Sequence, residues 1–209
     1  MQRIILLGCG GHAKSVADAI ESGGVYEIAG FIGTPEDDGF SYRDYRILDC
    51  DAGLDSIYRS GITHAAVCIG FMGRGITRSA LYDRLKAIGF TLPVITDRTA
   101  VIAADAQIGD GTFVGKNAVV NSAAVVGKMA IINTAAVVEH DCEVGDFSHV
   151  SVGSVLCGNV SVGAGSFIGA NATVIQGKKI GAGVIVGAGS VVLEDLADGR
   201  KAVGIVKQL

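Results

Sequence analysis

Two histidines and three acids converge on one short stretch of an otherwise apolar, charge-poor segment. It reads Glu139-His140-Asp141-Cys142-Glu143, followed closely by Phe147-Ser148-His149. Imidazole titrates near neutral pH and is the natural general base. A lone histidine here would read as a surface polar residue. A histidine next to an aspartate reads as a base with an acid to support it. A second group of residues suited to chemistry lies near the start, in Gly8-Cys9-Gly10-Gly11-His12-Ala13-Lys14. Its spacing is G-x-G-x-x-A, after an apolar run and before an amphipathic one. Such a turn lets a ligand approach the backbone and offers helix N-terminal amides to a phosphate. A dinucleotide site would also want an acid at the end of the second strand, about 20 residues on. Gly33 and Thr34 stand there, and Asp37 and Asp38 come later. The turn nearly matches a P-loop, but Ala13 replaces the glycine before Lys14 and no second ATPase motif follows. A nucleotide or sugar-nucleotide pocket is therefore favoured over NAD binding or ATP hydrolysis. A tight turn with no ligand is the plainer alternative.

The histidines must be held by the stretch from Ile102 to Val192. An aliphatic residue recurs there every six positions: Ile102, Ile108, Val114, Val120, Val126, Ile132, Val138, Val144, Val150, Leu156, Val162, Ile168, Val174, Ile180, Val186 and Val192. Two places before each lies a column of mostly small residues, from Ala100 and Ala106 to Ser190. A period of six fits neither a helix nor a plain strand alternation. It fits a hexapeptide repeat in which three short faces close one coil of about 18 residues. The aliphatic column points inward, and about five coils stack. Small residues allow the corners, and the glycines after the aliphatic column (Gly109, Gly127, Gly145, Gly163 and others) are expected to supply backbone freedom. Neither His140 nor His149 is in the inward column, so both are expected to face outward.

Upstream, strands are expected at Arg3–Leu7, Glu27–Ile32, His64–Ile69 and Thr91–Ile95. Helices are expected after the Gly-rich turn to about Ile20, at Ala52–Ser60 and at Ile76–Ile88. Residues 33–42 read as a polar loop. Alternating strands and helices imply a small parallel α/β domain. The fold class is thus an α/β, Rossmann-like domain at 1–97 followed by a parallel β-helix domain at 98–209. The 209 residues carry a net charge of −4, which leaves no electrostatic footprint for nucleic acid or an anionic membrane. No apolar run reaches the length of a membrane span, and Met1–Leu7 is too short for a signal peptide. The five cysteines are odd in number and form no CxxC pair, so they read as reduced thiols of a cytoplasmic protein. The four histidines have no metal-ligand spacing, and no metal site is expected.

Several of these motifs, taken together, resemble the sialic acid O-acetyltransferase-like family of bacterial left-handed β-helix sugar acetyltransferases. The nearest group is the UDP-4-amino-sugar N-acetyltransferases of bacillosamine and perosamine pathways. The carriers are Gly8–Lys14, Ala66-Val67-Cys68-Ile69-Gly70, Asn133-Thr134, Glu139-His140-Asp141-Cys142, Phe147–Gly153 and Gly158-Asn159. The resemblance implies an enzyme that uses acetyl-CoA to acetylate the amine of a UDP-linked amino-dideoxy sugar. It implies His140 as general base, with Asp141 raising its basicity, and direct transfer in a ternary complex. It places His149 by the thioester, the Gly158 amide on the carbonyl oxygen, and Ala170 and Ala188 along the coenzyme's path. Gly10, Gly11, His12, Gly33, Thr34 and Gly70 would bind the sugar nucleotide. The left hand of the solenoid is also implied only by the resemblance, since parallel crossovers are otherwise right-handed. The sequence departs from the family in lacking Asp-Asp directly after the second strand, and in the Pro-free end Val203–Lys207.

With those roles, counting yields an assembly. His140 and Gly158 differ by one coil and should stack about 4.8 Å apart along the prism. His140 and His149 differ by half a coil and should lie on opposite sides of one prism. If both serve one acetyl group they come from different chains, and the family resemblance implies that the assembly is a homotrimer, with each site in a groove between neighbouring solenoids. Competing readings are O-acetylation of a sialic-acid-like sugar, a nucleotide-binding oxidoreductase with a solenoid appendage, and a non-catalytic solenoid scaffold.

Overall fold

The structure is a computed structural model and describes residues 1–37, 39–71 and 76–207. The chain divides into two compact units: Met1–Gly70 with Ile76–Arg98, and Phe71 with the chain from Thr99 onward.

In the first unit, β1 (Gln2–Leu7), β2 (Tyr26–Gly33), β4 (Tyr45–Cys50) and β5 (His64–Val67) run parallel in the order β4-β2-β1-β5. A two-residue strand β3 (Ser41–Tyr42) caps the β4 edge in antiparallel sense. Ile4, Ile5, Leu6 and Leu7 are all buried, so β1 is covered on both faces of the sheet, which is why its sequence is a continuous apolar run. Helix α1 (Gly11–Gly23) buries Ala13, Val16, Ala17, Ala19 and Ile20.

Four sequence expectations need correction here. Residues 33–42 are not simply a loop, since Gly33 ends β2, Pro35–Asp37 is a short 3-10 turn and Ser41–Tyr42 is a strand. Strand β4 is absent from the expected set; it lies toward the sheet edge, is largely exposed and lacks an apolar rhythm. The expected strand at 91–95 is a single bridge at Thr91 and a two-residue strand at Ile95–Thr96. Helix α2 is short, Leu54–Arg59, after a 3-10 turn at Asp51–Gly53. Asp38 lies outside the described residues.

The second unit is the expected solenoid. Two-residue strands repeat every six positions and pair in parallel with strands eighteen positions away, as in Val119 with Val137 and Glu143 with Ser161. Three faces result. The valine face is seven strands from Val101–Ile102 to Ile205–Val206, and the polar face is five strands from Gln107–Ile108 to Lys179–Ile180. The histidine face includes Phe113–Val114, Ile131–Ile132, His149–Val150, Phe167–Ile168, Ile185–Val186 and Lys201–Ala202. The inward column from Val114 to Val192 is at most 3% exposed and forms one continuous core. Each such aliphatic side chain contributes about 1.5–3 kcal/mol by leaving water. The small column is buried as well, and its hydroxyls are satisfied: Thr112, Ser148 and Ser166 donate to the carbonyls of Gly127, Gly163 and Gly181. Above Val192 the coil shortens, with Ile205 pairing with Val191, and the six-residue rhythm ends.

The glycines after the aliphatic column have a different cause from the one expected. None of them has a positive φ. A Cβ on Gly109, Gly145, Gly163 or Gly169 would stand 2.5 Å from a backbone nitrogen of the next coil. They are glycine because adjacent coils pass too closely there for any side chain. The left-handed backbone falls two positions later, at Asn117, Ala123, Met129, Ala135, Asp141, Phe147 and Asn159, all with φ of 53–59°. Non-glycine residues in that region cost about 1–2 kcal/mol each, and the hydrogen-bonded coils on either side hold them there.

Candidate active site

The corner between the valine and polar faces carries His140. Its ring is exposed, and Nδ1–H donates to Asp141 Oδ2 at 2.8 Å. That hydrogen bond, followed by the charges of Asp141 and Glu139, raises the imidazole pKa above its ordinary value. The bond also fixes the tautomer, leaving Nε2 with its lone pair. Asp141 reaches back to Nδ1 from the left-handed position of the turn, with φ 58°. Glu139 Oε2 accepts from the His140 amide at 3.1 Å and from Asn121 Nδ2, one coil below, at 3.0 Å. The imidazole is thus fastened at its backbone and at its ring.

Gly158 stacks on His140 as the eighteen-residue count requires. The amide of Asn159 donates to the His140 carbonyl at 2.9 Å. A Cβ on Gly158 would lie 2.6 Å from His140 Nε2, so only glycine leaves room for the ring. At equivalent places in other coils the backbone amide is capped by a side chain: Ser122 by Asn121, Thr134 by Asn133, His140 by Glu139. Cys157 precedes Gly158 and offers no such cap, and the Gly158 amide donates to no acceptor among the described residues. A backbone donor without a partner, one coil above an imidazole, is the kind of group that can receive a developing oxyanion.

His149 departs from expectation. It points away from the aliphatic core, yet it is buried, 7% exposed. Its Nδ1–H donates to the Phe71 carbonyl at 2.6 Å, Asn133 Nδ2 donates to its Nε2 at 3.1 Å, and Phe167 packs edge-on against the ring. Phe71 is 78 positions away, so no local pattern announces this cover. His149 sits on the histidine face, across the prism from the His140 corner, and the two do not meet within one chain. Ala170 and Ala188 lie at the corner between the histidine and valine faces, with Asn133 below them. The structure therefore gathers His140, Asp141 and Gly158 at one corner and His149, Ala170 and Ala188 around another. In the sequence Asn133 stands out only as a motif residue; its contact with His149 is visible only in the fold.

Cys142, next to the His140–Asp141 pair in sequence, is a poor nucleophile. Cys142 is buried, its Sγ–H donates to the Cys157 carbonyl at 3.2 Å, and burial raises its pKa. It is a structural corner residue, as its column implies.

In the first unit the Gly-rich turn lies at the C-terminal ends of β1 and β5, where the strand order reverses. Gly8 has φ 107° and sits against Ile69. Helix α1 starts at Gly11 after Gly10, with no side-chain cap and no acid in its first turn. A Cβ on Gly10 or Gly11 would meet nothing within 4 Å, so both face open space, and Gly70 approaches His12. An uncapped helix start facing space is suited to a phosphate. Gly33 and Thr34 lie at the end of β2, on a recess of about 310 Å³ with Pro35, Ile47, Asp49 and Cys50. The acid absent from this strand end in sequence is returned to it in space. Asp37 Oδ2 accepts from Thr34 N and Oγ1, both at 2.8 Å, which lowers its pKa. Burial first, and then the Asp37 charge, push the Cys9 thiol up to about 11. The signal that could have found Asp37 is its spacing of three from Thr34, typical of a side-chain-capped turn.

If His140 is the base, its pKa must govern the acidic limb of activity. Asp141→Asn removes the charge that favours the imidazolium, so the limb should move to lower pH. The plateau rate should fall on the order of ten-fold, because the base is weaker. The pH profile of kcat/KM checks both; an unmoved limb would separate Asp141 from the base.

The chain has full-length counterparts among solved structures. A family model described as the PglD N-terminal domain matches residues 3–85, and one described as the hexapeptide repeat of succinyl-transferase matches residues 159–194. Among curated proteins, none matches significantly. Among solved structures, a histidine-to-alanine mutant of GDP-perosamine N-acetyl transferase from Caulobacter crescentus, in complex with CoA and GDP-perosamine, is 32% identical. That match covers 100% of this chain and 98% of the other, with a TM-score of 0.92. The acetyltransferase domain of PglB from Neisseria gonorrhoeae, in complex with acetyl coenzyme A, is 32% identical over 100% of this chain and 99% of its own, with a TM-score of 0.89. WeeI from Acinetobacter baumannii, 18% identical over 98% of this chain and 97% of its own, shares the fold with a TM-score of 0.62. With about a third of its residues identical over the full length of both chains, and a hexapeptide solenoid behind a PglD-like N-terminal domain, this chain belongs to the family of bacterial left-handed β-helix sugar acetyltransferases.

Proposed function

We infer that the protein transfers the acetyl group of acetyl-CoA to the amine of a nucleotide-linked amino-dideoxy sugar. The observation that carries this reading is the His140–Asp141 pair stacked beneath the unpartnered amide of Gly158. The relatives add support, since one is a GDP-perosamine N-acetyl transferase bound to CoA and GDP-perosamine and the other binds acetyl-CoA. A neutral amine attacks the thioester carbonyl while His140 Nε2 removes its proton. The oxyanion is received by the Gly158 amide, and the tetrahedral intermediate collapses with departure of the CoA thiolate, which takes up a proton as the thiol. Transfer is direct, because Cys142 is buried with its pKa raised.

The Gly-rich turn of the first unit holds the sugar nucleotide through Gly10, Gly11, His12 and Gly70, with Gly33, Thr34 and Asp37 beyond. The family motifs suggest a UDP-linked sugar, whereas the Caulobacter relative carries a GDP-linked one. His149, Ala170 and Ala188 serve the coenzyme. Among the described residues no helix is long and apolar enough to cross a membrane, and the cysteines are free, which fits a cytoplasmic enzyme.

A homotrimer completes the site in this reading. The outward column of the valine face reads Val101, Val119, Val137, Val155, Thr173, Val191 and Ile205, an apolar ladder from end to end. The polar face presents Gln107, Val125, Glu143, Ser161 and Lys179 instead. The valine face is flanked by the His140 corner on one side and the Ala170–Ala188 corner on the other. Three such faces around one axis would set each chain's His140 corner against its neighbour's coenzyme corner.

The deciding experiment is acetyl transfer from acetyl-CoA to UDP- and GDP-linked amino sugars, with hydroxyl-bearing analogues alongside. Turnover of an amine acceptor is expected, and turnover only of a hydroxyl sugar would favour O-acetylation. Gly11→Val should weaken sugar-nucleotide binding at least about ten-fold by closing the approach to the helix start, with acetyl-CoA affinity unchanged. The variant should fold, since a Cβ there meets nothing. Titration of each ligand separately checks this; equal loss of both affinities would place the nucleotide site elsewhere.

A further inference from the structure

At the turn that carries Gly158 the amides on either side are engaged. Cys157 N donates to the Val174 carbonyl at 3.0 Å, in the coil above, and Asn159 N to the His140 carbonyl at 2.9 Å, in the coil below. The Gly158 amide is left over between them, against the His140 ring. In the two coils beneath, the corresponding amide is closed by the side chain one position earlier. Asn121 Oδ1 accepts from Ser122 N at 3.1 Å, and Glu139 Oε2 accepts from His140 N at 3.1 Å. At a neighbouring corner of the prism Asn133 Oδ1 closes Thr134 N at 2.8 Å. The column Asn121, Glu139, Cys157, Ile175, Leu193 therefore changes character at Cys157, from side chains that accept to side chains that do not. Above Ile175 the Gln176 amide likewise donates to no acceptor among the described residues. The caps end at the height of the imidazole, and the open amides begin one coil above it.

An amide already bonded to a side chain gives an oxyanion nothing until that bond is broken. We propose that residue 157 sets whether the oxyanion site exists, and that Cys157 is the positioning residue that keeps the Gly158 amide open. A thiol is a weak acceptor, so it leaves the donor free where an asparagine or glutamate would close it. The place of the turn does not depend on the thiol. The Cys157 carbonyl accepts from Cys142 Sγ–H at 3.2 Å and the Cys157 amide is bonded to Val174, so the backbone is held by the core side and by the next coil. Cys157 and Ile175 are both half-buried, and their apolar surfaces lie beside the open amides. Such neighbours keep water from crowding the donors and so strengthen a bond to developing charge. The thiol touches no reacting atom; its contribution is the lack of an acceptor at the coil next to His140.

This inference rests on the acetyltransferase reading, and its test keeps the two apart. Cys157→Asn supplies an acceptor with the reach seen at Asn121 and Asn133. Cys157→Leu supplies matching bulk without an acceptor, and Leu193 already stands two coils above in the same column. Both are compared with wild type, using acetyl-CoA and whichever UDP- or GDP-linked amino sugar wild type acetylates. Cys157→Asn should lower kcat at least about ten-fold, because the oxyanion must displace a formed hydrogen bond. The fall reaches about 10²–10³-fold if the donor is lost outright. KM for acetyl-CoA should stay within about three-fold, and the acidic limb of kcat/KM should stay in place, because His140 and Asp141 are unchanged. Cys157→Leu should keep kcat within about three-fold of wild type. A crystal structure of Cys157→Asn should show the new Oδ1 in hydrogen-bond reach of Gly158 N. Near-normal kcat in Cys157→Asn overturns the proposal, and so does a side chain turned away from Gly158. Equal losses in the two variants overturn it in favour of crowding or of the thiol itself, and a displaced limb does so in favour of an effect on His140. Each of these leaves acetyl transfer standing. Wild-type protein that acetylates no amine overturns both readings at once.

Discussion

His140→Ala is expected to yield a folded protein whose turnover is lower by about 10²–10⁴. The physical case is local. The ring is exposed and outside the aliphatic core, so its loss opens no cavity. The backbone bonds that hold the corner, from His140 N to Glu139 and from Asn159 N to the His140 carbonyl, do not involve the side chain. What disappears is the proposed acceptor for the amine proton. Acetyl-CoA binding should persist, so the loss should appear in kcat. Circular dichroism and a coenzyme titration establish the fold, and steady-state kinetics measure the loss. Near-normal turnover at neutral pH would remove His140 from the mechanism.

With the proposed trimer, in which each site would draw on two chains, Val137→Glu is expected to give monomers and to reduce activity by more than about 100-fold. Val137 lies mid-ladder on the valine face, between Val119 and Val155, and points outward. A carboxylate there leaves the single chain's core untouched and puts a desolvated charge in the middle of each interface. Sedimentation and activity, measured together, report the two effects. A complementary measurement mixes His140→Ala with His149→Ala chains, each expected to be inactive alone. Each mixed trimer then has one interface where an intact His140 meets an intact His149. At equal mixing roughly a quarter of all sites should recover. A catalytically active monomer, or no recovery on mixing, would mean that the site lies within one chain.

The aliphatic period of six determined the solenoid, its coil of eighteen residues and the stacking of Gly158 on His140. These follow from local, repeated contacts that a linear pattern records. The carboxylate that holds the His140 ring was legible too, because Asp141 adjoins His140 in the chain. The family motifs pointed to the sugar acetyltransferases, with which the chain shares about a third of its residues. Other features were settled only by tertiary packing. The glycines after the aliphatic column looked like hinge residues, but their cause is a backbone of the next coil 2.5 Å from a would-be Cβ. The left-handed column is glycine at Gly111, Gly153 and Gly165 but not at Ala123, Met129 and Phe147, where neighbouring coils hold the conformation against its local cost. His149 looked outward-facing and is buried, because Phe71, 78 positions earlier, covers it. Strand β4 was unreadable because an exposed strand toward a sheet edge has no buried face to impose alternation. Asp37 reaches the end of β2 only through its bonds to Thr34. Local periodicity is written along the chain, whereas burial by a distant segment depends on where the fold brings that segment.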